Sequence, residues 1–432
     1  MESFLLFLAF IIVLMIFLSI GLPVAVSMGL VGTLGVFIFF SPNVLSQLAT
    51  ITLAQSSSFI LVVVPLFILM SEIISASPIG SQLFRTTQLW LGRVPGALAM
   101  GTILTSTGFS AVCGSSPVTA ATVGKMAVPE MIKNGYDPKL AYGSTAAGGT
   151  LGILIPPSVA LIMYGVITET SIGDLFIAGF LPGLMIAGLL CLTILVMIMR
   201  NPSLAPVQKT KSSWKERFVS LRSVLPILVL VVLVMGSIYT GVTTPTESAA
   251  VGAAVAFAIV AVMGYFSRKN FKQIFVNTVH TTGMFLFLII GGMFSSFILN
   301  RLGIPQGMAE MLLGFDLEPW MILVLINVLL VILGMFLDPM SILVIIIPIF
   351  FPTVMALGYH PVWFGIMVTI NVEIAAITPP VGFNIFVLKS VLPDAKLSDI
   401  IKGSLIFVIP LVIGLILIIL FPDIVLYLPN KM

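Results

Sequence analysis

The chain has 432 residues, of which 59% are hydrophobic and only 8% are charged. A soluble domain carries about a quarter charged residues because its surface faces water, so a soluble enzyme and a disordered chain are excluded. The 19 basic and 16 acidic residues leave a net charge of +3, too little to attract nucleic acid or another polyanion.

In chain order, the stretches free of Asp, Glu, Lys and Arg read as membrane spans, each needing about 20 mostly apolar residues. Gly21-Leu22-Pro23 and Ser41-Pro42-Asn43 divide the first uncharged run into spans near 4–20, 24–40 and 57–76. With no basic segment ahead of it and a second helix directly behind, the first span reads as retained, not as a cleaved signal. Residues 79–95, with Arg85 and Arg93, form an amphipathic interfacial helix. Further spans are expected at 140–168, 174–199, 223–241, 246–266, 277–299, 362–388 and 403–421, with a linker at 200–222 and an acidic counterpart of the interfacial helix at 306–318.

Two uncharged stretches do not read as simple spans. Residues 94–124 hold Gly96, Gly101, Gly108, Gly114, Gly124 and Pro117 among Ser and Thr, and 319–354 is interrupted by Asp338-Pro339, Pro348 and Pro352. Breakers and hydroxyls within an apolar stretch predict re-entrant hairpins, at about 96–130 and 320–354. The expectation is an all-α polytopic membrane protein of ten spans and two re-entrant hairpins.

Lys and Arg in short loops set orientation. With the N-terminus outside, Arg85, Arg93, Lys133, Lys139, Lys209, Lys211, Lys215, Arg217, Arg222, Arg268, Lys269, Lys272, Lys389, Lys396 and Lys402 all fall inside. Asp174, Glu247, Glu310, Asp316 and Glu318 fall outside, with Arg301 the exception, and both termini lie outside.

A shift of 223 residues lays Pro129, Gly135, Tyr136 and Pro138 on Pro352, Gly358, Tyr359 and Pro361, and Pro156-Pro157 on Pro379-Pro380. Pro78 and Gly80 match Pro305 and Gly307 after a four-residue slip, and Ser115-Ser116 falls on Asp338-Pro339. The matches concentrate in residues that fix backbone shape. The organisation expected is scaffold helices over 1–54, a first repeat over 55–200, a linker and connecting helices over 201–276, and a second, inverted repeat over 277–432. Inverted repeats with broken helices are characteristic of secondary transporters, whose sites lie near the midplane.

Each Pro-Pro pair frees carbonyls in mid-span, which need a partner in hydrocarbon. A small hard cation such as Na⁺ is one partner, its shell completed by Ser115, Ser116, Thr119 and Thr378; a structural kink satisfied by Ser or Thr is the other. Asp338 is a helix cap or an ion ligand, two roles that are compatible. Glu373 either pairs with Lys389 or lines a transport path, and Asn371 bonds the hairpin or the substrate. His280 and His360 are placed near span ends, and Trp90, Trp320 and Trp363 in the aromatic belt. Cys113 and Cys191 form neither a disulfide framework nor a metal spacing, and no nucleotide-binding, zinc-protease or nucleophile-elbow motif is present.

Gly114-Ser115-Ser116-Pro117-Val118-Thr119-Ala120-Ala121, Pro129-Glu130-Met131, Gly135-Tyr136 and Gly152-Ile153-Leu154-Ile155-Pro156-Pro157-Ser158 carry a resemblance. So do Thr244-Pro245-Thr246-Glu247-Ser248-Ala249, Gly334 with Phe336-Leu337-Asp338, Asn371-Val372-Glu373-Ile374 and Thr378-Pro379-Pro380-Val381-Gly382-Phe383-Asn384. Over essentially its whole length the chain resembles the large membrane subunit of TRAP (tripartite ATP-independent periplasmic) transporters, departing at Cys113, where that family commonly has Ser.

The resemblance implies a Na⁺-driven importer of small organic acids (a C4-dicarboxylate, sialic acid or similar carboxylate) in a bacterial inner membrane, working as an elevator with at least two Na⁺ ions. It implies two partners, a soluble periplasmic substrate-binding protein and a smaller four-helix membrane subunit. By position, Gly114, Ser115, Ser116 and Thr119 with Gly149, Thr150, Gly152 and Pro156 correspond to one Na⁺ site, and Gly334, Asp338, Thr378 and Pro379 to the other. Ser116, Pro117, Pro157, Asp338, Asn371, Glu373 and Pro380 correspond to the substrate site between the tips. A stand-alone Na⁺/dicarboxylate symporter of related fold is the alternative.

Overall fold

The computed structural model describes residues 2–92, 94–206, 213–314 and 317–431; Arg93, Lys209, Lys211 and Asp316 lie outside them. Among the described residues the chain is helical, without strands. The first part holds α1 (Glu2–Ser19), α2 (Val24–Phe39), α3 (Ser46–Ser56), α4 (Val63–Ser75) and the amphipathic α5 (Ile79–Leu91). Next come the hairpin α6 (Ala97–Cys113) and α7 (Ser116–Lys133), the broken span α8 (Pro138–Leu154) and α9 (Val159–Thr168), and α10 (Ile172–Arg200). Three connecting helices follow: α11 (Trp214–Leu221), α12 (Leu225–Tyr239) and α13 (Pro245–Val262). The last part repeats the earlier order: α14 (Arg268–Arg301), α15 (Ile304–Leu313), the hairpin α16 (Pro319–Gly334) and α17 (Pro339–Ala356), the broken span α18 (Pro361–Ala376) and α19 (Phe383–Val391), and α20 (Leu397–Leu420).

Among the described residues, α1, α10, α13, α14, α17 and α20 are each long and apolar enough to cross a membrane, and three bent pairs raise the six to nine. The pairs are 42–75, α8 with α9, and α11 with α12. Two of the ten expected spans fail this length test. α2 has 16 residues, about 24 Å at 1.5 Å per residue, and α18 also has 16, separated from α19 by residues 377–382. α17, an expected hairpin arm, passes it. Two further features depart from expectation: α3 is a helix where no element was foreseen, and Trp363 is not in an aromatic belt. Trp363 is 2% exposed, its indole N–H donating to Ile418 O at 2.9 Å. Trp90 and Trp320 are exposed, as an interfacial belt requires.

Close backbone approach fixes how the broken spans lie. α20 crosses the start of α8 at Gly143 and Gly403, where a Cβ on either would collide with backbone of the other helix. Its far end meets the start of α18, through Trp363 and Ile418. The Tyr164 hydroxyl in the middle of α9 donates to Pro361 O at 2.7 Å. The starts of α8 and α18 therefore lie at opposite ends of the bundle, and the two broken spans run antiparallel. Hydrogen bonding of Leu98 N to the Tyr136 hydroxyl at 3.3 Å closes the mouth of the first hairpin.

A second group of helices flanks this unit. Gly32 and Gly291 bring α2 against α14, Gly252 brings α13 against Met70 of α4, and Asn277 of α14 donates to Glu72 of α4 at 2.8 Å. The α8–α20 crossing tolerates no side chain. Gly403→Ala should destabilise the purified protein by about 1–3 kcal/mol through overpacking, read as a lower thermal midpoint; Gly188→Ala, with open space at its Cβ inside α10, should not lower the midpoint and, by helix propensity, raises it if anything.

Candidate functional site

Each hairpin tip docks on the break of the span that follows it. At the first break α8 ends at Leu154, and Ser158 closes the gap: its hydroxyl donates to Ile153 O at 2.5 Å and accepts from Leu161 N at 3.4 Å. That satisfies one freed carbonyl by a side chain, as a kink requires. The tip residue Gly114 has φ +63°, a left-handed conformation that favours glycine. Its carbonyl accepts from Val159 N at 3.2 Å. A Cβ on Gly114 would collide with Pro157 O, and one on Gly152 would lie 2.5 Å from Ser115 O. Gly149 packs on Ala120. The Thr150 hydroxyl donates to Ala147 O at 2.7 Å, and the buried Thr119 hydroxyl has no hydrogen-bond partner. Gly114, Ser115, Gly149, Gly152 and the Pro156-Pro157 break are thus brought together.

The second break repeats the plan. Val381 N donates to Met335 O at 3.1 Å, the counterpart of the Val159–Gly114 bond, and Gly334 packs on Ala375. Thr378 donates its hydroxyl to Ile374 O at 2.5 Å and its N–H to Ala375 O at 3.1 Å. Both Pro-Pro peptide bonds are cis. Asp338 caps α17, accepting from Met340 N at 3.1 Å, Ser341 N at 3.3 Å and the Ser341 hydroxyl. Asn371 donates to Asn327 of α16 at 2.5 Å, so it bonds the hairpin. Glu373 does not pair with Lys389: the ammonium group donates to Pro393 O and Ala395 O at 2.6 and 2.9 Å. α19 points Lys389 toward the loop that follows it, while Glu373 is fully buried in α18 with neither carboxylate oxygen hydrogen-bonded.

One contact joins the halves at the first tip. Asn384, at the start of α19, donates to the Ser116 hydroxyl at 2.7 Å, and that hydroxyl lies 3.0 Å from Asn384 Oδ1. Asn384 also reaches Ala146 O at 3.4 Å, and Ser116 and Asn384 are fully buried. The N-termini of α7 and α19 carry no side-chain cap, whereas α9 and α17 are capped by Ser158 and Asp338. The uncapped ends meet through Ser116 and Asn384, leaving partial positive charge there. No hydrogen bond among the described residues ties Asp338 to the first half; its partners are Met340 and Ser341. Asn384 enters the sequence reading only as the end of the motif from Thr378, with no role of its own; its one signal is a lone amide after the second Pro pair in apolar surroundings. Among the described residues no three His, Cys, Asp or Glu side chains cluster, and the donors at tips and breaks are hydroxyl and carbonyl oxygens, which suit hard cations.

Residues 11–424 match the family described as "Tripartite ATP-independent periplasmic transporter, DctM component". The chain belongs to this family. It is 37% identical over 406 residues to the C4-dicarboxylate TRAP transporter large permease protein DctM of Pseudomonas aeruginosa, covering 94% of each chain. It is 33% identical to the sialic acid TRAP transporter large permease protein SiaM of Vibrio cholerae, covering 95% of each. The ectoine TRAP transporter large permease protein TeaC of Halomonas elongata is also 33% identical, over 95% of this chain and 96% of that one. The fold resembles the YdaH transporter of Alcanivorax borkumensis, with a TM-score of 0.61 and 15% identity over 89% of each chain. As a DctM-family chain it is an integral membrane permease subunit of a TRAP transporter, and not an enzyme.

In this permease, Asn384→Ala leaves the buried Ser116 hydroxyl without its amide and should cost about 1–3 kcal/mol. Ser116→Ala with Asn384→Ala should cost less than the sum of the single changes, because the two residues share one bond. Thermal unfolding of the four proteins measures the difference.

Proposed function

We propose that this chain is the large permease subunit of a Na⁺-driven tripartite importer of small organic acids, C4-dicarboxylates, sialic acid or a similar carboxylate. It works with a soluble periplasmic binding protein and a smaller four-helix membrane subunit in a bacterial inner membrane, both termini on the periplasmic side. Relatives named for C4-dicarboxylate and sialic acid transport support the substrate class, and a fused relative, the isethionate TRAP transporter permease protein DctMQ of Oleidesulfovibrio alaskensis, supports a membrane partner.

The observation that carries this reading is the docking of each hairpin tip on its own break. Ser115 O of the tip and Pro157 O of the break lie at this contact, and a Na⁺ ion uses such oxygens. Gly114, Ser115, Ser116, Thr119, Gly149, Thr150, Gly152 and Pro156 would hold one ion; Gly334, Asp338, Thr378 and Pro379 would hold another. The substrate carboxylate would meet the uncapped ends of α7 and α19, beside Ser116, Pro117, Pro157 and Pro380, with Asn371, Glu373 and Asp338 completing the site. Each elementary charge moved across 100 mV is worth about 2.3 kcal/mol. An anion entering a negative interior therefore needs cations with it. The hairpins and broken spans would move as one body against α2, α4, α13 and α14, exchanging the side to which the site opens.

Uptake into vesicles tests this. A Na⁺ gradient should drive uptake only when binding protein and small subunit are both present; uptake by this chain alone would favour a stand-alone symporter. Asp338→Asn and Ser116→Ala should each raise the half-activating Na⁺ concentration by about tenfold, ~1.4 kcal/mol of binding. Unchanged Na⁺ activation in both would remove the site assignment.

A further inference from the structure

A groove of about 300 Å³ lies among α4, α13 and α14, and none of its lining residues belongs to a hairpin or a broken span. Every residue lining it is apolar. The small side chains of Ala250, Ala253 and Ala254 on α13 leave the space, and Leu66 and Leu69 of α4 border it. Phe257, Phe266, Phe271 and Phe275 form a continuous aromatic row beside it, with successive ring centroids 4.7, 6.0 and 4.8 Å apart. Phe257, Phe271 and Phe275 are 42, 41 and 44% exposed, so the groove is open on its outer side.

Its dimensions select a hydrocarbon chain. From Ala250 to Phe257 it runs about 10 Å along α13 at 1.5 Å per residue, which fits within one leaflet of a hydrocarbon core about 30 Å thick. Spread over that length, the volume amounts to a section of roughly 30 Å², against roughly 80 Å² for a helix about 10 Å across. The width admits one acyl chain and no transmembrane helix.

Charge at one end of the groove selects the headgroup. The sequence has no acidic residue between Glu247 and Glu310, whereas α14 opens on Arg268-Lys269 and Lys272 follows, exposed, within its second turn. At about 100° per residue, Lys272 borders the face that Phe271, Ile274 and Phe275 present to the groove. We propose that this groove is a binding site for one anionic phospholipid, its acyl chain along α13 and its phosphate at Lys272 and the start of α14. Lipid tails are as apolar as the groove, so the tail alone gains little there over the surrounding bilayer. The basic mouth supplies the preference, because each Lys or Arg near a membrane surface strengthens attraction to an anionic lipid several-fold. A long lysine stem lies along apolar surface while its ammonium group reaches the headgroup layer.

Crosslinking tests the site. A phosphatidylglycerol with a photoactivatable diazirine in one acyl chain is mixed with the full chain in phosphatidylcholine vesicles, and labelled peptides are identified by mass spectrometry. Labelling should concentrate on 250–257 and 271–275. Unlabelled phosphatidylglycerol should compete several-fold better than phosphatidylethanolamine, and soluble glycerol phosphate should not compete. Lys272→Gln should cut that preference several-fold. Ala254→Trp, which fills the groove, should remove labelling from both segments; Ala254→Leu, a smaller filling, should reduce it with the thermal midpoint unchanged, which separates occlusion from misfolding. Labelling spread evenly over the lipid-facing helices, equal competition by the two phospholipids, or native labelling in the Ala254→Leu and Lys272→Gln variants overturns the proposal. So does competition by glycerol phosphate, which would mark a site for free phosphate, or loss of labelling when the small membrane subunit is added, which would mark the groove as a protein contact.

Discussion

A backbone carbonyl or amide released inside hydrocarbon has no water to turn to, and the architecture follows from where those groups go. Two Pro-Pro pairs break two spans. At each break the chain just past the prolines gives an amide to the tip of the preceding hairpin: Val159 to Gly114 at 3.2 Å and Val381 to Met335 at 3.1 Å. The hairpins end in mid-bundle because the breaks hold them there, and the breaks persist because the tips cover them. Glycines at Gly114, Gly152 and Gly334 permit the approach, since a Cβ at each would meet atoms of the facing element.

The two halves share this plan without sharing their charges. Ser115 stands where the other half has Asp338, and Thr150 where it has Glu373. The second half caps its hairpin helix with Asp338 and buries Glu373, while the first half leaves the start of α7 uncapped beside the uncapped start of α19. Backbone symmetry thus builds two similar tip-and-break contacts. Side-chain asymmetry makes one end of the arrangement suited to anions and the other rich in acidic oxygen.

Much of the helix order was legible because its signals are local. Uncharged length marks spans, and prolines with glycines mark breaks and tips. α6–α7, α8–α9, α16–α17 and α18–α19 fall within a few residues of the segments read as 96–130, 140–168, 320–354 and 362–388. What escaped depends on neighbours distant in sequence. Trp363 resembles a belt residue until α20 supplies Ile418 O. Lys389 is a plausible mate for Glu373 until the turn after α19 offers two nearer carbonyls. Asn384 and Ser116 are 268 residues apart, and nothing in either neighbourhood announces the other. α3 escaped for a different reason, its mixed Ser, Thr and Gln content matching neither a span nor a turn.

Opposite orientation of the two halves underlies every functional statement above, and sided labelling tests it most directly. Lys133 and Ala356 are exposed, end their respective hairpins, and are counterparts in the 223-residue register. In a background with Cys113 and Cys191 replaced by Ser, a single cysteine at each position is probed with a membrane-impermeant thiol reagent in intact cells and in inverted vesicles. The expected result is Lys133→Cys labelled only from the cytoplasm and Ala356→Cys only from the periplasm. Labelling of both from one side would contradict the account.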